Sequence, residues 1–331
     1  MIHDLTRRSS LVLAAGAALA ASVARAAPEP FAVLDDKAEP LRGDFNRDAG
    51  HVRLLLLMDP VCPTCLKGLA NIDRDLLSKL PKDTPLRTYV VHEPVIQGTA
   101  GGLRGMQAAL PGDDPVIAWN GDILFAPALS FIVENHRRSG AAATMVLLPM
   151  PVARSYGAVE VDSGGRVQRI SGAGAAAPGI TSWHFSGVHI LSPPVFEAMT
   201  PVGPEDINRD VYPRLFASGG VRGIQIFDPW SDLGTPSAYL DAQADVLSGW
   251  TIDPVPREAP GPMRATRIEP GARVDALAVL GPDVYVGSGV EVPAGATVHR
   301  SALLPGAVVA PGEQVRGEIR WEGGGLLSER G

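Results

Sequence analysis

Between residues 274 and 308 an apolar residue returns every six positions: Val274, Leu280, Val286, Val292, Val298 and Leu304. A second series of apolar or small residues runs in phase through Val284, Val290, Ala296, Ala302 and Val308. Neither the helical period of 3.6 nor the strand period of 2 produces that spacing. Short strands joined by glycine or proline turns, three to a coil and stacked coil on coil, do produce it. The period predicts a left-handed parallel β-helix over residues 271–318, about two to three coils long. A stack so short needs its ends covered by the main body or by another subunit, so the tail is also a candidate surface for homo-oligomerisation. Residues 253–270, rich in proline and charge, read as the linker ahead of it.

Upstream the pattern changes. The apolar run Pro115-Val116-Ile117-Ala118-Trp119 reads as a strand and is followed by Asn120-Gly121-Asp122. Gly223-Ile224-Gln225-Ile226-Phe227 reads as another, a little before Trp230-Ser231-Asp232-Leu233-Gly234-Thr235-Pro236. Each segment delivers one aspartate just past an apolar run. Two carboxylates from separate strand ends can hold a hard divalent cation, and Mg²⁺ is normally bound by one or two carboxylates together with phosphate oxygens. Thr235 is a good N-cap and Pro236 suits the first helical position, so a helix is expected from there to residue 247. Asp232 then lies at a strand-to-helix turn, where open α/β sheets bind ligands; a carboxylate at a helix start is also favoured by the helix dipole alone. Residues 129–138 carry a helical pattern and residues 143–148 a strand pattern. Alternating strands and helices imply an α/β fold with a mainly parallel sheet covered by helices.

Ahead of the first aspartate stands Gly98-Thr99-Ala100-Gly101-Gly102-Leu103-Arg104, and between the two stand Tyr156-Gly157-Ala158-Val159-Glu160-Val161-Asp162, Phe185-Ser186-Gly187-Val188-His189-Ile190-Leu191 and Asp206-Ile207-Asn208-Arg209-Asp210-Val211-Tyr212-Pro213. In this order and spacing, residues 85–250 resemble the sugar-phosphate nucleotidyltransferases, in particular the mannose-1-phosphate guanylyltransferase and N-acetylmuramate-1-phosphate uridylyltransferase kind. A repeat tail found in some members extends the resemblance to residue 318. The resemblance implies a nucleotidyltransferase-like domain over residues 98–252 that joins a nucleoside triphosphate to a sugar 1-phosphate. It implies Asp122 and Asp232 as catalytic Mg²⁺ ligands. Gly98, Thr99, Ala100 and Gly101 would line the nucleotide site, and Gly157 and Gly187 the sugar site. The family opens with a strand and a Gly-rich loop, G-x-G-T-R-x-x-P, that cradles the phosphates; this sequence contains no such segment. The family's Glu-Lys-Pro between the two sugar-site segments is also not found. Its lysines are Lys37, Lys67, Lys79 and Lys82, so phosphate contacts within residues 98–331 fall to arginines or backbone N–H groups.

The first hundred residues read differently. Arg7-Arg8, the Ala-rich apolar run of residues 12–21 and the small residues up to Ala27 describe a secretory signal peptide over residues 1–27, of twin-arginine type; an Ala-rich amphipathic helix is the plainer alternative. The run is too short to span a bilayer. Four leucines at residues 54–57 mark a buried strand, then Cys62-Pro63-Thr64-Cys65 precedes a helical run over residues 66–80, and residues 87–91 read as the next strand. A strand, a C-x-x-C at a helix N-terminus and a second strand resemble a partial thioredoxin-like unit over residues 28–97. Helix N–H groups lower a thiol pKa, so Cys62 would attack and Cys65 resolve; a structural disulfide stays open as the alternative. These are the only two cysteines, too few for the usual zinc sites.

Within 331 residues, 36 acidic against 29 basic side chains argue against nucleic-acid binding, and no second apolar stretch is long enough to cross a membrane once the leader is cleaved. Three readings therefore compete: a sugar-phosphate nucleotidyltransferase with turnover impaired by the missing loop, an exported thiol–disulfide oxidoreductase using Cys62 and Cys65, or a non-enzymatic mosaic in which neither partial site works. A leader sends the chain to the periplasm or beyond, in conflict with a nucleotide-dependent reaction of the cytoplasm. His299, the one histidine of the repeat tail, is a poor candidate for the acyl-transfer role that such repeats support elsewhere.

Overall fold

The computed structural model describes residues 2–4, 39, 41–48, 52–58, 81, 84, 86–92, 95–107, 114–150, 157–174, 178–249 and 266–327. The C-x-x-C motif, the helical run after it, most of the expected leader and most of the linker lie outside the described residues. Among the described residues no helix is long and apolar enough to cross a membrane.

The N-terminal part contains β1 (Ile2–Asp4), α1 (Leu41–Arg47), β2 (Val52–Met58) and β3 (Leu86–His92). The leucine-rich β2 pairs in parallel with β3 along its full length, Val52 to Leu86 through Met58 to His92, and β1 pairs antiparallel on the other edge of β3. Next come α2 (Gly98–Met106), β4 (Val116–Trp119), β5 (Ile123–Phe125), α3 (Leu129–Ser139) and β6 (Ala143–Leu148). A meander of β7 (Ala158–Val161), β8 (Val167–Ile170) and β9 (Ala173–Gly174) leads to the long β10 (Thr181–Leu191). The short α4 (Pro193–Glu197), a wide π-type turn at Ile207–Val211 and α5 (Tyr212–Leu215) follow, then β11 (Val221–Gln225), β12 (Trp230–Asp232) and α6 (Pro236–Ser248).

These strands form a mixed sheet in the order β11-β6-β10-β7-β8-β9, with β4 also on β10. The α/β class stands, but parallel pairing in this sheet is confined to β6 with β11, where a mainly parallel sheet was expected. The cause is β10. Strands β4, β6 and β11 all run one way, as crossover connections demand, but β10 inserts between β4 and β6, antiparallel to both. Both faces are covered, which explains why β6 is buried along its whole length. Met145 and Leu147 face Ala100, Leu103, Ile207 and Tyr212 on one side, whereas Val146 and Leu148 face Ile132 of α3, Phe125 and Trp230 on the other. Phe227, read from sequence as the end of a strand, lies beyond β11 and is exposed.

The tail is a parallel β-helix built from nine short strands, β13 (Thr266–Ile268), β14 (Arg273–Val274), β15 (Val279–Leu280), β16 (Val284–Val286), β17 (Glu291–Val292), β18 (Thr297–His299), β19 (Ser301–Leu303), β20 (Gln314–Arg316) and β21 (Glu318–Trp321), and β22 (Gly324–Leu327) folds back antiparallel on β21. Val274 stacks on Val292 and Leu280 on Val298, eighteen residues apart, as three hexads require. The period then slips. Val284 pairs with Ser301 and Val298 with Val315, seventeen apart, because one residue is missing from the coil at Arg300, which adopts a left-handed φ of 42°. The expected core positions Leu304 and Val308 are therefore corrected by one, to the buried Leu303 and Ala307; Val308 is 77% exposed. The slip also turns Ala302 outward, where α6 covers it.

Candidate active site

Strands β4 and β7 lie end to end along one edge of β10, because β6 occupies the other edge throughout. Trp119 at the end of β4 is opposite Val188, and Ala158 at the start of β7 is opposite His184, so Phe185–Ser186–Gly187 spans a gap in the sheet. The ladder shifts register there. Gly187 takes φ 91°, and a Cβ on it would stand 3.0–3.2 Å from the side chain of Asn120. Glycine at this point lets the Asn120-Gly121-Asp122 turn pack directly on the bulge, held by the Asn120 N–H donating to the Gly187 carbonyl at 2.9 Å.

Asp122 and Asp232 meet at this turn. β5 pairs antiparallel with β12, placing Asp232 opposite Ile123, and the Leu233 N–H donates to the Asp122 carbonyl at 2.8 Å. The missing side chain of Gly234 leaves the space between the two carboxylates. A Cβ there would be 3.0 Å from Asp232 Oδ1 and 3.8 Å from Asp122 Oδ2. Asp232 Oδ1 also accepts from the Gly234 N–H at 2.8 Å, which aims the carboxylate. Among the described residues no group of three or more His, Cys, Asp or Glu forms a metal cluster. Two carboxylates around a glycine-sized gap fit a Mg²⁺ that takes its other ligands from phosphate oxygens and water.

The walls of the gap are aromatic. Trp230 donates its indole N–H to the Ser186 carbonyl at 2.8 Å, and its ring meets the edge of His184 at 4.7 Å. Burial holds His184 below its usual pKa, against an opposing pull from Asp232. The sequence reading did not single out His184, Trp230 or Gly234. Only Gly234 had a sequence signal, a glycine two residues after a strand-end aspartate.

The other candidate residues divide between this gap and a second place. Gly157 precedes β7 at the gap, packed on the Ser171 side chain. Gly98, Thr99, Ala100 and Gly101 start α2 against Glu205–Ile207. Gly98 has φ 72°, and a Cβ would stand 2.6 Å from the Glu205 carbonyl. That carbonyl accepts from Ala100 N–H at 3.0 Å and from Gly101 N–H at 3.4 Å. Thr99 Oγ1 accepts from the Ile207 N–H at 3.0 Å and donates to Asp206 Oδ2 at 3.2 Å. Two of the helix-start donors are thus spent inside the chain. The Glu205 carboxylate, buried, receives Arg214 Nη1 at 2.6 Å and the Thr200 N–H at 3.0 Å. Burial would raise its carboxyl pKa, and these hydrogen bonds with the Arg214 charge bring it below the usual value. Arg104 is committed to the carbonyls of Thr200 and Gly203 at 3.0 and 2.7 Å.

Residues 72–249 match the Nucleotidyl transferase family. The chain belongs to that family. Among its relatives, the mannose-1-phosphate guanylyltransferase of Mycobacterium tuberculosis is 28% identical over 227 residues, covering 68% of this chain and 61% of the relative. The UTP–glucose-1-phosphate uridylyltransferase of Synechocystis is 28% identical over 232 residues, covering 68% and 59%. The chain spans about three fifths of the length of these relatives. The crystal structure of HddC from Yersinia pseudotuberculosis superposes with a TM-score of 0.45 at 20% identity, over 67% of this chain and 91% of that one. The family match includes both aspartates and the whole gap in the sheet.

Proposed function

We propose that this chain joins a nucleoside triphosphate to a sugar 1-phosphate, at a rate well below that of an ordinary enzyme. The observation that carries the reading is the convergence of Asp122 and Asp232 across Gly234 in a chain of the nucleotidyl transferase family. The names of its relatives, which specify guanylyl transfer to mannose 1-phosphate and uridylyl transfer to glucose 1-phosphate, support the substrate class. A phosphate oxygen of the sugar phosphate attacks the α-phosphorus, the new P–O bond forms, and the bond to the β-phosphate breaks with release of pyrophosphate. Asp122 and Asp232 would hold Mg²⁺, which when bound neutralises charge on the phosphates. Gly157 and Gly187, at the gap in the sheet, would border the sugar, and Gly98, Thr99, Ala100 and Gly101 would shape the nucleotide site by packing on Glu205–Ile207.

The slow rate follows from the phosphate-binding region. Where the family has a Gly-rich loop after its first strand, this sequence follows β2 with Asp59-Pro60, a negative charge and a residue without an N–H. Loss of one donor to developing charge costs about 10²–10³ in rate. The test is pyrophosphate release by the purified chain with Mg²⁺, each of the four ribonucleoside triphosphates and a panel of sugar 1-phosphates. The expected result is slow, Mg²⁺-dependent release with one pair, abolished by Asp122→Asn. No release with any pair over prolonged incubation overturns the transferase reading; turnover in the ordinary range of about 1–10³ s⁻¹ overturns the impairment.

A second reading, thiol–disulfide exchange by Cys62 and Cys65, draws support from the parallel pairing of β2 and β3 on either side of the motif. Equal insulin reduction by the unaltered chain and Cys62→Ser would remove it. The two readings imply different compartments, since export suits a thiol protein and nucleoside triphosphates are cytoplasmic; fractionation of cells separates them.

A further inference from the structure

Helix α6 begins four residues after Asp232, and its far side is fastened to the β-helix. Leu240 is fully buried against Ala302 and Ile319. Gln243 Nε2 donates to two β-helix carbonyls, Asp283 at 3.0 Å and Ser301 at 3.1 Å, and Asp241 pairs with Arg300. Among the described residues, only Ser171, Asp283 and Arg300 are non-glycine positions with positive φ, and two of the three lie at this contact. The coil that loses one residue is therefore the coil that receives the helix: the slip turns Ala302 out toward Leu240 and presents the carbonyls to Gln243.

The chain from α6 back to Asp232 has little slack. The Tyr239 N–H donates to the Thr235 carbonyl at 2.9 Å and the Ala238 N–H to Thr235 Oγ1 at 3.2 Å. The Gly234 N–H donates to Asp232 Oδ1, and the Leu233 N–H to the Asp122 carbonyl, both at 2.8 Å. Each step from the β-helix to the carboxylate is thus held by a hydrogen bond or a buried contact.

We propose that the β-helix sets the position of the Asp232 carboxylate through α6, with Leu240 and Gln243 as positioning residues for the cation site. The inference rests on the reading of Asp122 and Asp232 as that site. Outer groups that orient metal ligands typically change affinity by about ten- to a hundredfold when removed. The test is the affinity of the full chain for Mn²⁺ alone, read from the electron paramagnetic resonance of the free ion. Gln243→Glu keeps the shape of the side chain and removes both donors, so it carries the test even where Leu240→Ala fails to fold. Gln243→Glu and Gln243→Ala should each weaken Mn²⁺ binding about tenfold. Val298→Ala, which empties space inside the β-helix core away from α6, should leave the affinity unchanged. Wild-type affinity in both Gln243 variants, with binding still lost in Asp232→Asn, overturns the positioning role and leaves the cation site standing. Equal weakening by Val298→Ala also overturns it, because affinity would then follow general stability. Absence of Mn²⁺ binding by the unaltered chain removes the cation-site reading and this inference with it.

Discussion

At Gly234 a single methyl group would enter the space between the Asp122 and Asp232 carboxylates, where the proposed cation sits. A Cβ there intrudes on Asp232 Oδ1 at 3.0 Å without removing any charge. Gly234→Ala should weaken Mn²⁺ about tenfold while changing the urea midpoint little; unchanged affinity would mean that the gap is not the site. Gly187 answers to a different constraint. Its φ of 91° and its contact with Asn120 make Gly187→Ala costly, about 1–3 kcal/mol in urea unfolding. The aspartates were legible in the sequence because each follows an apolar run, and the register of β5 on β12 explains why they meet. His184 and Trp230 were not legible. Their role depends on a bulge in β10 that no local pattern announces.

Individual elements are joined by buried polar pairs, and these make the fold sensitive to acid. His189 on β10 is fully buried, and burial pushes its pKa down to about 3 against a smaller pull from Asp206. Burial and Asp206 raise the Tyr212 hydroxyl well above its usual value, and the neutral phenol shares a hydrogen bond of 2.6 Å with His189 Nδ1. His136 on α3 bridges Thr144 and Ser192, 2.8 Å each, and is lowered by burial and then by Arg137. A histidine whose folded pKa is depressed binds its proton only in the unfolded state between the two pKa values. For His189 stability is therefore full above about pH 6.5 and falls as the pH drops toward 3, by up to about 1.4 kcal/mol per unit, and His136 acts in the same direction. The urea midpoint should be lower at pH 5 than at pH 7; equal midpoints would contradict a neutral buried state. Tyr212→Phe leaves the buried His189 Nδ1 without its hydrogen-bond partner and should cost about 1–3 kcal/mol in the same assay. Helix α6 was readable from Thr235 and Pro236, since the cap and first-turn chemistry is local. The antiparallel entry of β10 and the slip at Arg300 were not, because both are set by partners far away in the chain.

For the whole molecule, the proposed cation site lies where β4 and β7 meet on β10, and α6 links it to the β-helix. The six-residue period announced the tail, and the strand-end aspartates announced the turn where Asp122 and Asp232 come together. The contact that joins the two, Leu240 and Gln243 on Ala302, Asp283 and Ser301, appears only when the coil count slips by one. The most direct test of the central claim is a Mn²⁺ titration of the unaltered chain beside Asp122→Asn and Asp232→Asn, each checked for an unchanged circular dichroism spectrum. The expected result is a single site in the unaltered chain that is lost in either variant. Binding that survives both substitutions, or is absent from the unaltered chain, would contradict it.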